Sequence, residues 1–283
     1  MEDNVTIIIK TFERPNCLMR LVKSIRKYYK KIAILVVDDS KSPISPLPEE
    51  ITGYYHLPFD SGLSYGRNFA LEKIETKYFL LCDDDMIFTE DTDLEKIYSV
   101  LEKGVFDIVS CHMVDHIRKT NFRLGINRWG GNMEIKNGKY IHTYGKPRFY
   151  KDDLPVYDIV LNFFMASKEK IGLKAWDENI KIGYEHSDFF LQAKSKSLLS
   201  TVISVFLYII TQKIVKNITG LEQELLENFT SWKQKNMVLK KNFILGKDFN
   251  GKIKLDIFII IFYILLLGYL NLFKMDIKYL PKL

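Results

Sequence analysis

The sequence predicts an α/β fold with a mixed, mainly parallel sheet flanked by helices. Strand-like and helix-like segments alternate through roughly the first 110 residues, as they do when crossover helices join parallel strands. The strand-like segments are continuous apolar runs, which is typical of strands buried on both faces. Three of these strands end in polar residues, and the topology should bring these ends together along one edge. Ligands of such sheets bind outside the carboxyl ends of the strands.

The elements follow one another in a regular order. A strand rich in β-branched residues occupies 5–12 (VTIIIKTF), and an amphipathic helix with Pro15 in its first turn occupies 14–29. The second strand, 32–40 (IAILVVDDS), ends in two carboxylates. After it the sequence predicts a strand at 54–57, a helix at 64–74, a strand at 78–82, a helix at 91–103, a strand at 106–111, hairpins within 117–153 and a strand at 201–210.

Composition divides the chain into three parts: a folded domain at 1–215, a basic helical linker at 216–254 and a hydrophobic helix at 255–283. The segment 231–254 holds seven lysines and one acid, which accounts for the whole net charge of +6. The uncharged run that follows, 257–273, has 17 residues, whereas a membrane-spanning helix needs about 20. Its length is therefore at the lower limit for spanning.

Lysines flank the apolar run on both sides, which disfavours a simple crossing because lysines prefer the cytoplasmic side of a membrane. The pattern predicts a peripheral or monotopic protein on the cytoplasmic face of the inner or plasma membrane, held by its tail. The alternative is a buried C-terminal helix of a soluble fold. We expect no nucleic-acid partner, since the basic segment carries no recognised binding motif. The N-terminal segment MEDNVTIIIK has no pattern of a secretory signal.

The three cysteines, Cys17, Cys82 and Cys111, predict reduced, buried thiols in a cytosolic protein. Their number is odd, their spacing fits no metal motif, and each has apolar neighbours in the sequence.

The segment YFLLCDDDMIF places three adjacent carboxylates, Asp83, Asp84 and Asp85, between apolar residues. Such a triplet is costly to bury unpaired, and a hard divalent cation shared with substrate phosphates would neutralise it. Mn²⁺ or Mg²⁺ is therefore the expected cofactor. The chain has no Gly-rich phosphate loop, which leaves Arg67 or Lys10 to assist the metal. The alternative for the triplet is a solvated turn or a helix cap.

Five segments in order carry a resemblance to a known family: VTIIIKTFERP, VVDDS, GLSYGRNFALEKIETKYFLLCDDDMIFT, DIVLNFFMASKEKI and EHSDFF. They resemble inverting glycosyltransferases of the GT-A fold in glycosyltransferase family 2, in particular the β-1,4-N-acetylgalactosaminyltransferases of the ganglioside type. The resemblance covers roughly residues 5–210 and leaves out the tail. It implies a GT-A catalytic domain that binds a UDP-sugar.

The resemblance also implies roles for matched positions. Asp85, together with Asp83, would ligate the metal. Asn162, Phe163 and Phe164 would lie near the transferred sugar and the acceptor, although the two phenylalanines are as readily explained as core. The positions that it assigns to the nucleotide are Thr11, Phe12, Glu13, Asp38, Asp39, Arg67, Asp83 and Asp84. Many enzymes of this fold add a histidine ligand after the last strand, but 211–213 is TQK here.

The general base is expected in GYEHSDFF, residues 183–190, where related transferases carry an acidic pair. Glu185 and Asp188 are three residues apart and could share one side of a first helical turn. His186 stands where many relatives have an acid. Asp188 is the favoured base, followed by Glu185 and His186, and the alternative for either acid is a helix cap.

These observations predict an inverting, metal-dependent glycosyltransferase. It would move N-acetylgalactosamine, or another hexosamine or hexose, from a UDP-sugar to a hydroxyl of a glycan or lipid-linked acceptor in surface polysaccharide synthesis. One alternative is a nucleotidyltransferase of related fold, which would need a basic signature near the first turn. Another is a non-catalytic carbohydrate- or membrane-binding module.

Overall fold

The computed structural model describes residues 1–115, 125–127, 130–136 and 139–209. The end of the predicted first domain, the predicted linker at 216–254 and the predicted membrane-associating helix at 255–283 lie outside the described residues. Among the described residues, no helix combines the length and the hydropathy needed to cross a bilayer.

The described residues form five α-helices and thirteen strands. The helices are α1 (Pro15–Tyr28), α2 (Leu63–Lys73), α3 (Leu94–Glu102), α4 (Lys168–Ile171) and α5 (Glu185–Ser195). The strands are β1 (Val5–Thr11), β2 (Ala33–Asp38), β3 (Gly53–His56), β4 (Tyr78–Asp83), β5 (Met86–Ile87), β6 (Ile108–Asp115), β7 (Gly125–Asn127), β8 (Gly131–Lys136), β9 (Lys139–Tyr144), β10 (Phe149–Lys151), β11 (Leu154–Tyr157), β12 (Phe163–Ser167) and β13 (Ser200–Ile209).

Eleven of these strands form one mixed sheet with the order β10-β11-β13-β6-β12-β4-β1-β2-β3, in which β5 pairs with β13 and β7 with β6. Strands β4, β1, β2 and β3 are parallel neighbours, as are β6 and β13. The other six described pairings of this sheet are antiparallel. The α/β class and the mixed sheet are confirmed. The parallel pairings are those of the longer strands, whereas β12 runs opposite to both its neighbours and the short strands β5, β7 and β11 are also reversed.

Helices cover both faces of the sheet, and alternate side chains of each strand reach opposite cores. Ile7 and Ile9 pack with α1 and α3, whereas Ile8 packs with α2 and α5. The two cores explain why the strands read as continuous apolar runs. All three cysteines are buried and free of disulfides, as predicted for reduced thiols.

Helix boundaries follow local capping. Pro15 is the first residue of α1, where its missing N–H costs nothing. The predicted helix at 91–103 is shorter than expected, because the Asp93 carboxylate accepts the backbone N–H of Lys96 and fixes the start of α3 at Leu94. Helix α5 begins directly after Tyr184, whose backbone is left-handed (φ 62°).

The parallel strands β1, β2, β3 and β4 all end at one edge of the sheet, called here the carboxyl edge. In the register of the parallel strands, Thr11 pairs with Asp38, and Lys10 pairs with Asp83. The predicted convergence of polar strand ends is therefore present, and the functional side chains gather there.

Candidate active site

The acidic triplet lies where β4 ends and the chain turns into β5. Its three carboxylates face different surroundings. Asp84 is fully buried, whereas the side chains of Asp83 and Asp85 are 31% and 32% exposed. Two partly exposed carboxylates thus flank a buried one. The buried part of Asp83 is desolvated, which raises its pKa against the opposing effect of Arg67.

Asp84 is held by protein groups on the inner side of the turn. The Thr11 hydroxyl donates to its Oδ2 at 2.6 Å, and Arg14 Nη2 lies 2.6 Å from its Oδ1. Burial raises the pKa of Asp84 to about 6, against the opposing effects of Arg14 and Thr11. Asp84 therefore joins β4 to the end of β1 and supports the two open carboxylates.

Arg14 is a member of this cluster that the sequence reasoning missed. Its Nη1 lies 3.3 Å from Asp85 Oδ2, so one guanidinium spans Asp84 and Asp85. Its side chain is 38% exposed and stands at the mouth of the site. The signal for it is its position three residues after Thr11, at the carboxyl edge. Arg14 and Arg67 together leave one negative charge of the triplet uncompensated, which suits an added divalent cation.

Arg67, on α2, is the buried cation of the site. It is 1% exposed, its Nη2 donates to Asp83 Oδ1 at 2.9 Å, and its Nη1 lies 3.8 Å from Glu185 Oε1. Its guanidinium carbon lies 5.6 Å from the ring centre of Trp176. Arg67 Nε and Nη1 have no hydrogen-bond partner among the described residues. A buried cation with unused donors is a group that an anionic ligand or its bound water satisfies.

Lys10 has a different partner from the one that the sequence suggested. Its ammonium is bonded to Asp39 and, at 2.8 Å, to the carbonyl of Thr11. Helix α2 passes directly over it at Gly66, where an added Cβ would overlap the Lys10 side chain. Burial lowers the pKa of Lys10. Lys10 thus neutralises Asp39 beneath α2.

Asp38 and Asp39 are buried at the end of β2 with protein donors on all four oxygens. Asp39 accepts from Lys10 and from the Gly62 N–H at 2.9 Å. Asp38 accepts from the Ser40 N–H at 2.8 Å and from the Tyr54 hydroxyl at 2.6 Å. Burial, aided by Asp38, raises the pKa of Tyr54 to about 12. Both aspartates lie at the carboxyl edge as predicted, and their contact with a base or ribose stays a prediction.

Two residues that follow β1 have separate surroundings. Phe12 is partly exposed, and its ring centre lies 5.6 Å from that of Phe59, in the loop before α2. Glu13 has a left-handed backbone (φ 55°) and donates its N–H to the Ser40 hydroxyl at 2.6 Å. Its carboxylate accepts the Lys41 N–H at 2.6 Å. Glu13 therefore fastens the loop after β2 to the loop after β1.

The three base candidates share the first turn of α5. Glu185 and Asp188 are both nearly buried, and Asp188 accepts from Gln192 at 2.6 Å. Burial raises the pKa of Glu185, and its Oε2 has no hydrogen-bond partner among the described residues. Burial lowers the pKa of His186 to about 3, so its imidazole is neutral near pH 7 and a weak proton acceptor.

The first two residues of β12 contribute aromatic side chains to the cores, and the residue before β12 is polar. Phe163 and Phe164 are fully buried, with Phe88 and Phe189 among their ring neighbours. Their burial agrees with the alternative that both are core residues, and a place for them near the sugar or the acceptor stays a prediction. Asn162 directly precedes β12, whose first residue pairs with Cys82, and its Oδ1 has no partner among the described residues.

Asp83 and Asp85 are the carboxylates available to the predicted metal, and both would bind it through oxygen atoms. Within the described ranges, no group of three or more His, Cys, Asp or Glu side chains is arranged to hold an ion. Mg²⁺ in nucleotide sites is commonly bound by one or two carboxylates, with waters and substrate phosphates completing its shell. The two part-open carboxylates match that number.

Helix α2 is fastened to the chain that leads into α5. Asn68 accepts the Trp176 N–H at 3.0 Å and donates to the Trp176 carbonyl at 2.8 Å and to Glu178 at 2.9 Å. One turn earlier, the Ser64 hydroxyl donates to the Ile180 carbonyl at 2.5 Å. This clamp sets Arg67 and Glu185 at a fixed separation.

Replacing Asn68 with alanine is expected to lower the free energy of unfolding by about 2–4 kcal/mol, because it leaves both backbone groups of Trp176 buried without partners. Chemical denaturation measures the change. The matched control is Asn4→Ala, which removes an exposed hydrogen bond to Tyr98 and should change stability by less than about 0.5 kcal/mol. Equal effects of the two substitutions would contradict the clamp.

Comparisons with known proteins agree with this geometry. Residues 6–192 match the sequence model of glycosyl transferase family 2. The chain is 34% identical over 206 residues to mouse β-1,4 N-acetylgalactosaminyltransferase 2, covering 72% of this chain and 38% of the mouse protein. It is 32% identical over 198 residues to human β-1,4 N-acetylgalactosaminyltransferase 1, covering 66% of this chain and 35% of the human protein.

A solved structure shows the same fold. TarS of S. aureus, residues 1–349 in complex with UDP, superposes with a TM-score of 0.52 at 14% identity, over 80% of this chain and 70% of that one. The present chain spans less than two fifths of the length of the mouse and human relatives. Since the family model covers well over half of the chain, the protein belongs to glycosyl transferase family 2.

Proposed function

We propose that the protein is an inverting, metal-dependent glycosyltransferase. It moves N-acetylgalactosamine, or another hexosamine or hexose, from a UDP-sugar to a hydroxyl of a glycan or lipid-linked acceptor. One observation carries the proposal: at the carboxyl edge of a family 2 fold, two part-open carboxylates meet a buried arginine with unused donors.

The identity of the donor is supported by two likenesses. The similar mammalian proteins are named as N-acetylgalactosaminyltransferases, and the TarS structure holds UDP. In this chain the nucleoside end is assigned to the region of Thr11, Phe12 and Asp39. The diphosphate end is assigned to the region of Asp83, Asp85 and Arg67.

Asp83 and Asp85 are the residues that would hold Mn²⁺ or Mg²⁺. The bound ion would supply positive charge at the diphosphate that leaves. Arg67 keeps Asp83 in place from beneath, and Arg14 does the same for Asp85 at the mouth. Both arginines also balance charge when a highly anionic donor enters.

The acceptor hydroxyl must lose a proton while its oxygen attacks the anomeric carbon opposite the leaving nucleotide, which inverts the configuration. A single carboxylate suffices for this step, and we assign it to Asp188. Glu185, beside Arg67 and Asp83, is assigned to positioning on the donor side. The low pKa of His186 makes it a poor base near neutral pH, so it is placed last of the three.

The tail is proposed to hold the enzyme against the cytoplasmic face of the membrane, where lipid-linked acceptors of surface polysaccharide synthesis reside. Removing residues 255–283 is expected to shift the protein from the membrane pellet to the soluble fraction after lysis, while UDP still binds. A truncated protein that binds UDP and still sediments with membranes would contradict this assignment.

Arg14 is the one observation that favours a second function, because a nucleotidyltransferase needs a basic group near the first turn. Such an enzyme would join a nucleoside triphosphate to a sugar phosphate and release pyrophosphate. Membership of family 2 favours sugar transfer instead. Pyrophosphate release from UTP and a hexosamine phosphate would decide for the alternative.

The proposed function is tested by a screen of UDP-sugars with the full chain, read by thermal stabilisation and by release of UDP. A UDP-hexosamine is expected to stabilise the protein and to be hydrolysed slowly, and both effects should disappear when EDTA removes the metal. Stabilisation by hexosamine donors that persists without metal would contradict a metal-held diphosphate.

A further inference from the structure

A buried carboxylate outside the proposed site joins three separate parts of the chain. The Asp158 side chain is 3% exposed, and its Oδ1 lies 3.2 Å from Nη1 of Arg148, directly before β10. Its Oδ2 accepts the N–H of Met133 in β8 at 2.9 Å and lies 2.6 Å from Nζ of Lys194 in α5. These four residues are called here the Asp158 cluster. Moving any of the three segments away would leave the buried charge without one of its partners, which is costly.

The cluster attaches a small hairpin to helix α5. Strands β8 and β9 form a two-stranded sheet of their own, and such a hairpin is only marginally stable alone in water. The Lys194 ammonium donates to the carbonyl of Met133, whose N–H is held by the Asp158 carboxylate. Both backbone groups of Met133 are therefore satisfied by side chains of the Asp158 cluster. The placement of the hairpin thus depends on the ion pair between Asp158 and Lys194.

The hairpin lies beside the part of α5 that carries the candidate bases. Met133 belongs to the same hydrophobic core as Phe189, the residue that follows Asp188. Burial lowers the pKa of His186, and the neighbouring His142 of β9 adds to this effect. Both strands of the hairpin therefore border the first two turns of α5. The Asp158 cluster fastens the hairpin to the same helix that presents the proposed base.

We propose that Asp158 and Lys194 are positioning residues for sugar transfer. They set the β8–β9 hairpin against α5 and so fix Asp188 relative to the attacking oxygen. The inference rests on the proposed function, in which Asp188 is the base. The donor is assigned to the ends of β1, β2 and β4 and to α2, and the Asp158 cluster joins other elements of the fold. Loss of the cluster should therefore slow turnover without weakening donor binding.

The positioning role is tested with the full chain at saturating Mn²⁺. UDP release from UDP-N-acetylgalactosamine, with water as the acceptor, gives kcat, and calorimetric titration gives the Kd of UDP. Lys194→Met is expected to lower kcat about 10–100-fold, because a displacement of about 1 Å at the reacting groups has an effect of this size. The Kd of UDP should stay within a factor of about two. Lys194→Arg keeps a cation with several donors and should restore most of the lost turnover.

Two further variants and an exchange measurement separate positioning from general stability. Asp158→Asn keeps the shape of the side chain and an acceptor for Met133, and it should lower kcat at unchanged Kd as Lys194→Met does. The matched control is Lys136→Met, which removes an exposed ion pair with Glu134 on the same hairpin and should change neither value. Hydrogen exchange of the backbone amides in 131–136 should be faster in Lys194→Met than in the wild type, whereas exchange in β1 should be unchanged.

The outcomes distinguish this inference from the proposed function. Wild-type turnover in Lys194→Met, or unchanged exchange in β8, would overturn the positioning role and leave the proposed function intact. A loss of UDP affinity equal to the loss of kcat would indicate a general disturbance of the fold and would also overturn it. A wild-type protein that neither binds UDP nor releases it from the donor would overturn the proposed function and this inference together.

Discussion

Replacing Arg67 with methionine is expected to destabilise the fold by about 3–5 kcal/mol, the range measured when one partner of a buried ion pair is removed. Arg67 is 1% exposed and faces Asp83 and Glu185. Burial raises the pKa of both carboxyl groups, and the positive charge of Arg67 opposes that effect. Without Arg67, both carboxylates lose this favourable interaction. Urea denaturation of wild type and variant measures the difference.

Two further variants separate charge from packing. In the double variant Arg67→Met/Asp83→Asn one of the stranded charges is gone, so part of the lost stability should return. Lys77→Met removes one member of an exposed ion pair with Glu102. It should leave the urea concentration at the unfolding midpoint almost unchanged. An Arg67→Met protein as stable as the wild type would mean that the two carboxylates do not depend on this cation.

Asp188→Asn is expected to lower kcat for sugar transfer about a thousandfold, within the range that a positioned general base contributes. The amide has nearly the shape of the carboxylate and can still pair with Gln192, so the fold should be retained. The Kd of UDP should stay within a factor of about two, since the donor site is intact. Steady-state kinetics and UDP titration of the same preparation give both values.

Glu185→Gln and His186→Asn are the matched controls for the assignment of the base. Glu185→Gln should weaken donor binding as well as turnover, because Glu185 lies beside Arg67 and Asp83. His186→Asn should leave the slope of rate against pH unchanged near neutrality, since the imidazole stays neutral there. If Glu185→Gln alone lost turnover at unchanged UDP affinity, Glu185 would be the base.

Local sequence patterns predicted the order of elements through β6, except for the two-residue strand β5, and the convergence of their polar ends. A strand that runs straight into Asp83–Asp85 is visible in the sequence because burial demands a continuous apolar run on either side of the turn. The reversed direction of β12 has no such signature. Phe163 and Phe164 were named as possible site residues through the family resemblance, and the structure places them in the cores on either side of the sheet.

The charge partners of the triplet could not be predicted from spacing. Arg14 meets Asp84 and Asp85 across 70 or more residues, and Arg67 meets Glu185 across more than 100. Such contacts depend on how strands pair and helices dock, which a local pattern does not encode. The sequence named Lys10 as a helper of the metal, whereas the structure pairs its ammonium with the Asp39 carboxylate, and Gly66 of α2 passes close to its side chain.

The most direct test of the account is calorimetric titration of UDP into the full chain with increasing Mn²⁺, compared between the wild type and the double variant Asp83→Asn/Asp85→Asn. The account predicts that Mn²⁺ tightens UDP binding to the wild type at least tenfold and has no effect on UDP binding to the variant. Equal UDP affinity with and without Mn²⁺ in the wild type, or a full manganese effect in the variant, would contradict the claim that these two aspartates hold the ion.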